Sequence, residues 1–135
     1  MENCLFCQII DGKIPSRKVF ENNDVYAFLD IMPNSDGHTL IIPKKHSNDL
    51  QSTDLEVLRA IGSARKEVVD LLTAKLTKPI VGFNYVSNQG AEAFQMVFHY
   101  HEHVIPKYKK DEGFLIKKNV QNLSDLDEVH QLIIK

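Results

Sequence analysis

The sequence predicts an α+β domain in which helices pack on one five-stranded antiparallel sheet. Three observations carry that expectation. Short apolar or alternating runs of strand length are separated by hairpin-length connections. One long stretch of helical periodicity follows the third run. Strand-like segments then resume, so the order is strands, helix, strands. The chain has 135 residues, 43% of them hydrophobic and 25% charged, enough for one continuous core and ordinary for a globular protein.

Leu5 to Ile10 reads as a short helix closed by Asp11-Gly12, and Ile14-Pro15-Ser16 as a turn. Lys18 to Glu21 and Val25 to Leu29 are two strands joined by Asn22-Asn23-Asp24. Asp30 to Gly37 holds Pro33, Asn34, Ser35 and Asp36 and is a loop by its chemistry. His38 to Pro43 is a third, strongly apolar strand. A long helix follows from about Asp54 to about Lys75, with Leu58, Ile61, Val68 and Leu72 as its apolar stripe. Thr53 and Glu56 fit a capping box at its start, and Pro79 bars continuation. Val81 to Ser87 and Met96 to Ile105 are the fourth and fifth strands. Ser124 and Asp127 resemble a cap for a C-terminal helix with Leu126, Val129 and Ile133 on one face.

The formal net charge of -2 gives no electrostatic case for binding a nucleic-acid duplex. No apolar run is long enough to span a membrane, and MENCLFCQIIDG lacks the features of a signal peptide, so a cytoplasmic protein is expected. The lysine clusters at Lys44-Lys45, Lys107 to Lys110 and Lys117-Lys118 read as solvated surface.

Two features carry chemistry. Cys4 and Cys7 are spaced C-x-x-C, which suits a metal half-site or a redox pair, but no strand precedes them as in a thioredoxin-like unit. In FHYHEHVIP, His99, His101 and His103 alternate. On one strand they share a face at steps of about 6.6 Å, with Phe98, Tyr100 and Val104 opposite. Glu102 is out of place among those apolar residues and is expected at solvent or a partner surface. Three imidazoles in register admit surface polarity, a metal site or nucleophilic catalysis, and spacing does not choose among them.

The segments CLFCQIIDGKIPS, VFENNDVYAFLDIMPNSDGHTLIIPKKH, NYVSNQG and QMVFHYHEHVIP resemble, in order, the Hint-like branch of the histidine triad (HIT) nucleotide-binding hydrolases and transferases. The resemblance covers nearly the whole chain and implies one HIT domain over 1–135. Its core is 1–107, and 108–135 form an extension. It implies that His101 is the nucleophile attacking the α-phosphate of a nucleotide. The carbonyl of His99 holds the far ring proton, and His103 contacts the phosphate and leaving group and assists proton delivery. Asn88 matches a phosphate-side asparagine, and Gln95 and Met96 fall in the segment before the triad that meets the phosphate. Asp30 is assigned to the ribose hydroxyls, and Leu5, Phe6, Ile9, Phe28 and Ile31 to the walls around a purine, in an AMP or GMP moiety. His38 matches a recurrent position near the triad. Relatives with C-x-x-C often carry structural zinc, which here implies Cys4, Cys7, His46 and His99 as ligands. A homodimer that joins two five-stranded sheets is also implied.

Two positions depart from the pattern. Met96 stands where a serine hydroxyl usually meets the phosphate, and losing such a bond costs about 1.5–3 kcal/mol of transition-state binding unless replaced. Glu102 stands where the pattern is apolar. The resemblance thus implies hydrolysis or nucleotidyl transfer on phosphoramidates or dinucleoside polyphosphates. The rival reading is a zinc-stabilised nucleotide-binding or protein-interaction module with little turnover, which the Met96 departure would allow.

Overall fold

The structure, a computed structural model, describes residues 3–135. Its elements are α1 (Leu5–Ile10), β1 (Lys18–Glu21), β2 (Val25–Leu29), β3 (Thr39–Pro43), α2 (Leu55–Lys75), β4 (Gly82–Val86), β5 (Glu102–Lys107) and α3 (Leu126–Ile134), with a 3₁₀ turn at Ala91–Ala93. The five strands form one antiparallel sheet in the order β1-β2-β3-β5-β4.

Side-chain alternation divides the sheet into two faces. Val25, Ala27, Ile41 and Val104 pack with Tyr100 against Ile61, Ala64, Val68 and Leu72 of α2. Phe28, Leu40 and Ile42 point the other way and enclose Phe6 and Ile9 of α1. His103 pairs with Leu40 across β3 and β5, whereas Glu102 pairs with Ile41. His103 therefore faces the α1 side and Glu102 the α2 side.

The fifth strand is shorter at its start than the sequence predicts: it begins at Glu102, not Met96. Residues 95–100 find other hydrogen-bond partners. The Gln95 amide bonds the backbone of Gly90, Asn48 and Val97, and the Tyr100 N–H donates to the Ser47 carbonyl at 2.6 Å. His99 and His101 thus lie on an irregular segment entering the sheet, and Phe98 is half exposed instead of packed on the core.

The expected capping box is also absent. The N-cap of α2 is Asp54, without a side-chain cap bond, and its carboxylate meets Lys45 at 2.6 Å. Thr53 instead bonds the Asp49 carbonyl, and Glu56 pairs with Arg59. At α3 the cap falls on Asp125, which accepts from the Glu128 N–H at 3.2 Å, and not on Ser124. At α2 the side chains able to cap have other partners: the Thr53 hydroxyl donates to the Asp49 carbonyl and the Asp54 carboxylate pairs with Lys45. Beyond β5 the chain is almost wholly exposed, and α3 buries no residue. Among the described residues no helix is long and apolar enough to cross a membrane.

Candidate active site and metal centre

The histidines do not form one row. They divide into two clusters, and the groups touching each ring decide its tautomer.

The first cluster grows from α1. Cys4 is the N-cap residue and its sulfur accepts from the Cys7 N–H at 3.3 Å, so both thiols lie at the helix start. His46 follows β3, and His99 arrives from the segment before β5. Sγ of Cys4 lies 3.3 Å from Nδ1 of His99, and Sγ of Cys7 lies 3.4 Å from Nδ1 of His46 and 3.5 Å from Nδ1 of His99. The two Nδ1 atoms are 3.1 Å apart. In His99, Nε2 lies 2.8 Å from the Pro43 carbonyl, which only accepts, so the ring proton is on Nε2 and Nδ1 offers a lone pair. In His46, Nε2 faces Oδ1 of Asn48 at 3.1 Å in the same sense. Two lone pairs aimed at each other beside two thiols make a donor set that suits a cation. A tetrahedral zinc ion with Zn–S of about 2.3 Å and Zn–N of about 2.0–2.1 Å would set S···N edges of about 3.5 Å and an N···N edge of about 3.3 Å. The four ligand atoms, all within 4.8 Å of one another, fit that ion.

The second cluster lies on the α1 face of β3 and β5. Nδ1 of His101 donates to the His99 carbonyl at 2.8 Å, so its Nε2 carries the lone pair. Every fully buried side-chain nitrogen or oxygen among the described residues has a partner. His101 Nε2 has none among the described residues, so that nitrogen is not fully enclosed although the ring is largely buried. Phe6 stands perpendicular to the His101 ring, with centroids 5.2 Å apart, and holds it in place. Burial lowers the pKa of His101, and burial takes His99 and His103 down to about 4. At neutral pH the three rings are therefore uncharged.

Beside His101, Nδ1 of His38 accepts from the Asn34 N–H at 3.0 Å, and its Nε2 lies 2.9 Å from Nδ1 of His103. Asp30 Oδ2 is 3.5 Å from the same Nε2, while Oδ1 accepts from the Met32 N–H. Asp30, His38 and His103 are close enough to hold an ion, but the Asn34 N–H keeps the proton of His38 on the nitrogen a metal would need. The neighbouring groups thus leave two imidazole lone pairs facing each other in the first cluster and link the rings of His38 and His103 by a hydrogen bond in the second.

Among the other residues expected at the site, Phe6, Ile9 and Phe28 are core, with Phe6 alone touching a triad ring. Leu5 and Ile31 are exposed, as a binding wall must be before its ligand arrives. Asn88 is half buried, with no hydrogen bond among the described residues. Gln95 is buried, and both ends of its amide are taken by backbone, so it shapes the loop and its side chain is not offered outward. Met96 is 86% exposed.

Glu102 is largely withdrawn from solvent. Its carboxylate is 12% exposed, accepts from Nε of Arg65 at 2.8 Å and from the Tyr100 hydroxyl, and the ion pair raises the Arg65 pKa. Its pairing with Arg65 is a contact that sequence reasoning missed. The only available signal was that an acid on a core face requires a base opposite.

Fold and site together define an α+β protein that presents an imidazole lone pair beside a two-thiol, two-imidazole cluster. The HIT domain family model matches residues 11–110, and the chain belongs to that family. It is 47% identical over 131 residues to a HIT-like protein of Mycoplasma genitalium, covering 97% of this chain and 92% of the relative. It is 41% identical over 113 residues to the adenosine 5'-monophosphoramidase of Candida albicans, covering 82% of this chain and 73% of that protein. A HIT family crystal structure from Bacillus anthracis superposes with a TM-score of 0.86 at 39% identity, over 98% of this chain and 93% of that one. The histidine triad nucleotide-binding protein of Candida albicans gives 0.84 at 35%, over 97% and 92%.

Proposed function

We propose that this HIT protein is a nucleotide hydrolase or nucleotidyl transferase that cleaves at the α-phosphate of nucleoside 5'-phosphate derivatives. Phosphoramidates and dinucleoside polyphosphates are its substrate classes. One observation carries the reading: His101 donates its Nδ1 proton to the His99 carbonyl and keeps an unpartnered Nε2 that is not fully enclosed. A neutral imidazole so held is ready to attack phosphorus. The relative named as a monophosphoramidase supports the same chemistry.

In the first step Nε2 bonds to the α-phosphorus while the bond from phosphorus to the leaving nitrogen or oxygen breaks. The leaving group departs with the electron pair. Water then attacks the phosphorus and the lone pair returns to Nε2. Over both steps the water supplies hydroxide to phosphorus and a proton to the leaving group. Nε2 of His103 and the amide of Asn88, neither hydrogen-bonded among the described residues, would donate to phosphate oxygens. Asp30 keeps lone pairs for the ribose hydroxyls, and the exposed Leu5 and Ile31 offer apolar surface to a purine of AMP or GMP, with Phe6, Ile9 and Phe28 as buried core.

Cys4, Cys7, His46 and His99 would hold zinc as a structural ion, whose contribution is to cross-link α1, the end of β3 and the segment before β5. A homodimer is the assembly the sheet supports best. β4 is an edge strand whose residues, Gly82 to Val86, carry neither charge nor proline to blunt pairing. Beside it, Arg65, Val69, Tyr85 and Glu102 line an open cleft of about 550 Å³.

The test is incubation with an AMP phosphoramidate and quenching in alkali, where a phosphoramidate bond to imidazole survives. Wild type is expected to carry one nucleotide mapped to His101, and His101→Ala none. Turnover by His101→Ala equal to wild type would overturn the nucleophile assignment.

A further inference from the structure

We infer that His38 is a positioning residue that locks His103 in one tautomer, so that His103 acts on the phosphate as a neutral hydrogen-bond donor and not as a proton-losing acid. The inference starts from a backbone group whose role has no ambiguity. The Asn34 N–H lies 3.0 Å from Nδ1 of His38, and the Asn34 side-chain nitrogen lies 3.3 Å from the same atom. Nδ1 must accept, so the single ring proton of neutral His38 is on Nε2. That proton points at Nδ1 of His103, 2.9 Å away. Nδ1 of His103 therefore accepts, and the proton of neutral His103 is on Nε2.

The consequence is chemical. To act as a general acid and be left neutral, His103 would have to start as an imidazolium with protons on both nitrogens. Its Nδ1 proton would then meet the Nε2 proton of His38. His38 could yield only by moving its own proton to Nδ1, against the Asn34 N–H. His38 is 1% exposed, so no water can relieve that conflict. The relay thus holds His103 uncharged, with a fixed N–H where phosphate charge develops. Such a donor stabilises a transition state without giving up its proton.

The loop between β2 and β3 supplies the anchor. Its chain turns back so that the Asp30 N–H bonds the His38 carbonyl at 2.9 Å and the His38 N–H bonds the Ser35 carbonyl at 3.1 Å. Asp30 Oδ2 lies 3.5 Å from His38 Nε2, and a carboxylate there favours a proton on that nitrogen, the same tautomer.

The catalytic part of this inference rests on the proposed reaction, but the tautomer does not. It is read on the resting protein by nitrogen-15 NMR of the imidazole rings at neutral pH. The expected wild-type spectrum gives His103 a bare Nδ1 and a protonated Nε2. In His38→Leu, where the volume is kept and the donor lost, His103 should become a mixture of tautomers, with the backbone amide spectrum reporting that the fold persists. His38→Gln, whose amide can donate to Nδ1, should restore the single tautomer. In turnover, His38→Leu should lower kcat by about 10- to 100-fold with little change in KM, and His38→Gln should recover part of the loss. A proton on Nδ1 of His103 in wild type, or an unchanged His103 tautomer in folded His38→Leu, overturns the inference. A correct tautomer with no turnover in any variant leaves the relay standing and removes the proposed reaction.

Discussion

Arg65 reaches from α2 to Glu102 on β5, with Nε donating to Oε1 at 2.8 Å, and this contact explains the charged residue inside the triad motif. Glu102 also accepts from the Tyr100 hydroxyl, so it joins the long helix to the strand that carries the site.

Truncating one partner of this pair leaves a partly buried charge unpaired. Glu102→Ala should destabilise the protein by about 1–3 kcal/mol in urea unfolding. Arg65→Met with Glu102→Leu should cost less than the sum of the single changes, because neither charge is then stranded. Additive costs would mean that the two side chains do not interact.

Metal removal should be felt in both stability and chemistry, because one residue serves both clusters. The His99 ring belongs to the thiol cluster, while its carbonyl holds the proton of His101. A strong chelator should lower the melting temperature of wild type, and Cys4→Ser should melt lower and respond less. Formation of the nucleotide adduct should slow under the same conditions. A melting curve indifferent to chelator would remove the zinc assignment.

The Met96 side chain offers no hydrogen-bond donor at the position where the family resemblance implies a serine. Met96→Ser should raise kcat/KM on a phosphoramidate by about tenfold or more, the effect of one added bond to a charged oxygen. A fall in rate would show that the exposed thioether itself contacts the substrate.

Gly37 has φ +90°, and a Cβ there would meet Cδ1 of Leu76 at 2.7 Å. Gly37→Ala should cost about 1–3 kcal/mol of stability. It should also disturb the neighbouring His38, visible as a shift in that ring's NMR signals.

Glu21 accepts from Lys44 at 2.7 Å and Lys18 at 3.1 Å, hydrogen bonds that lower its pKa below the usual 4.5. The unfolded chain therefore binds the proton at a higher pH than the folded one. The stabilisation is complete above the unfolded value and disappears as pH falls through the folded value. Glu21→Gln should accordingly be less stable than wild type at pH 7, and the gap should close in acid. A gap that is constant with pH would point to packing instead.

Much of this protein was legible before any coordinates. The Leu5–Ile10 helix and the strands Lys18–Glu21 and Val25–Leu29 fall where local pattern and turn residues put them, because side-chain period and turn chemistry are short-range. The start of the fifth strand was not legible. Alternation from Met96 onward reads as strand, yet the Ser47 carbonyl takes the Tyr100 N–H that a sheet neighbour would need. A competitor so distant along the chain leaves no mark on local periodicity.

By itself the sequence determined the fold class, the family pattern and the residue types able to do chemistry, since these depend on periodicity and order. The family resemblance implied the tautomer of His101, held by the His99 carbonyl two residues away. Only the tertiary structure decided which nitrogen is free in His99 and in His38: the Pro43 carbonyl reaches His99 from a distant segment, and the folding of the loop before β3 turns the Asn34 N–H onto His38. An imidazole has two nearly equivalent nitrogens, and one neighbouring donor or acceptor is enough to make one a base and the other an anchor.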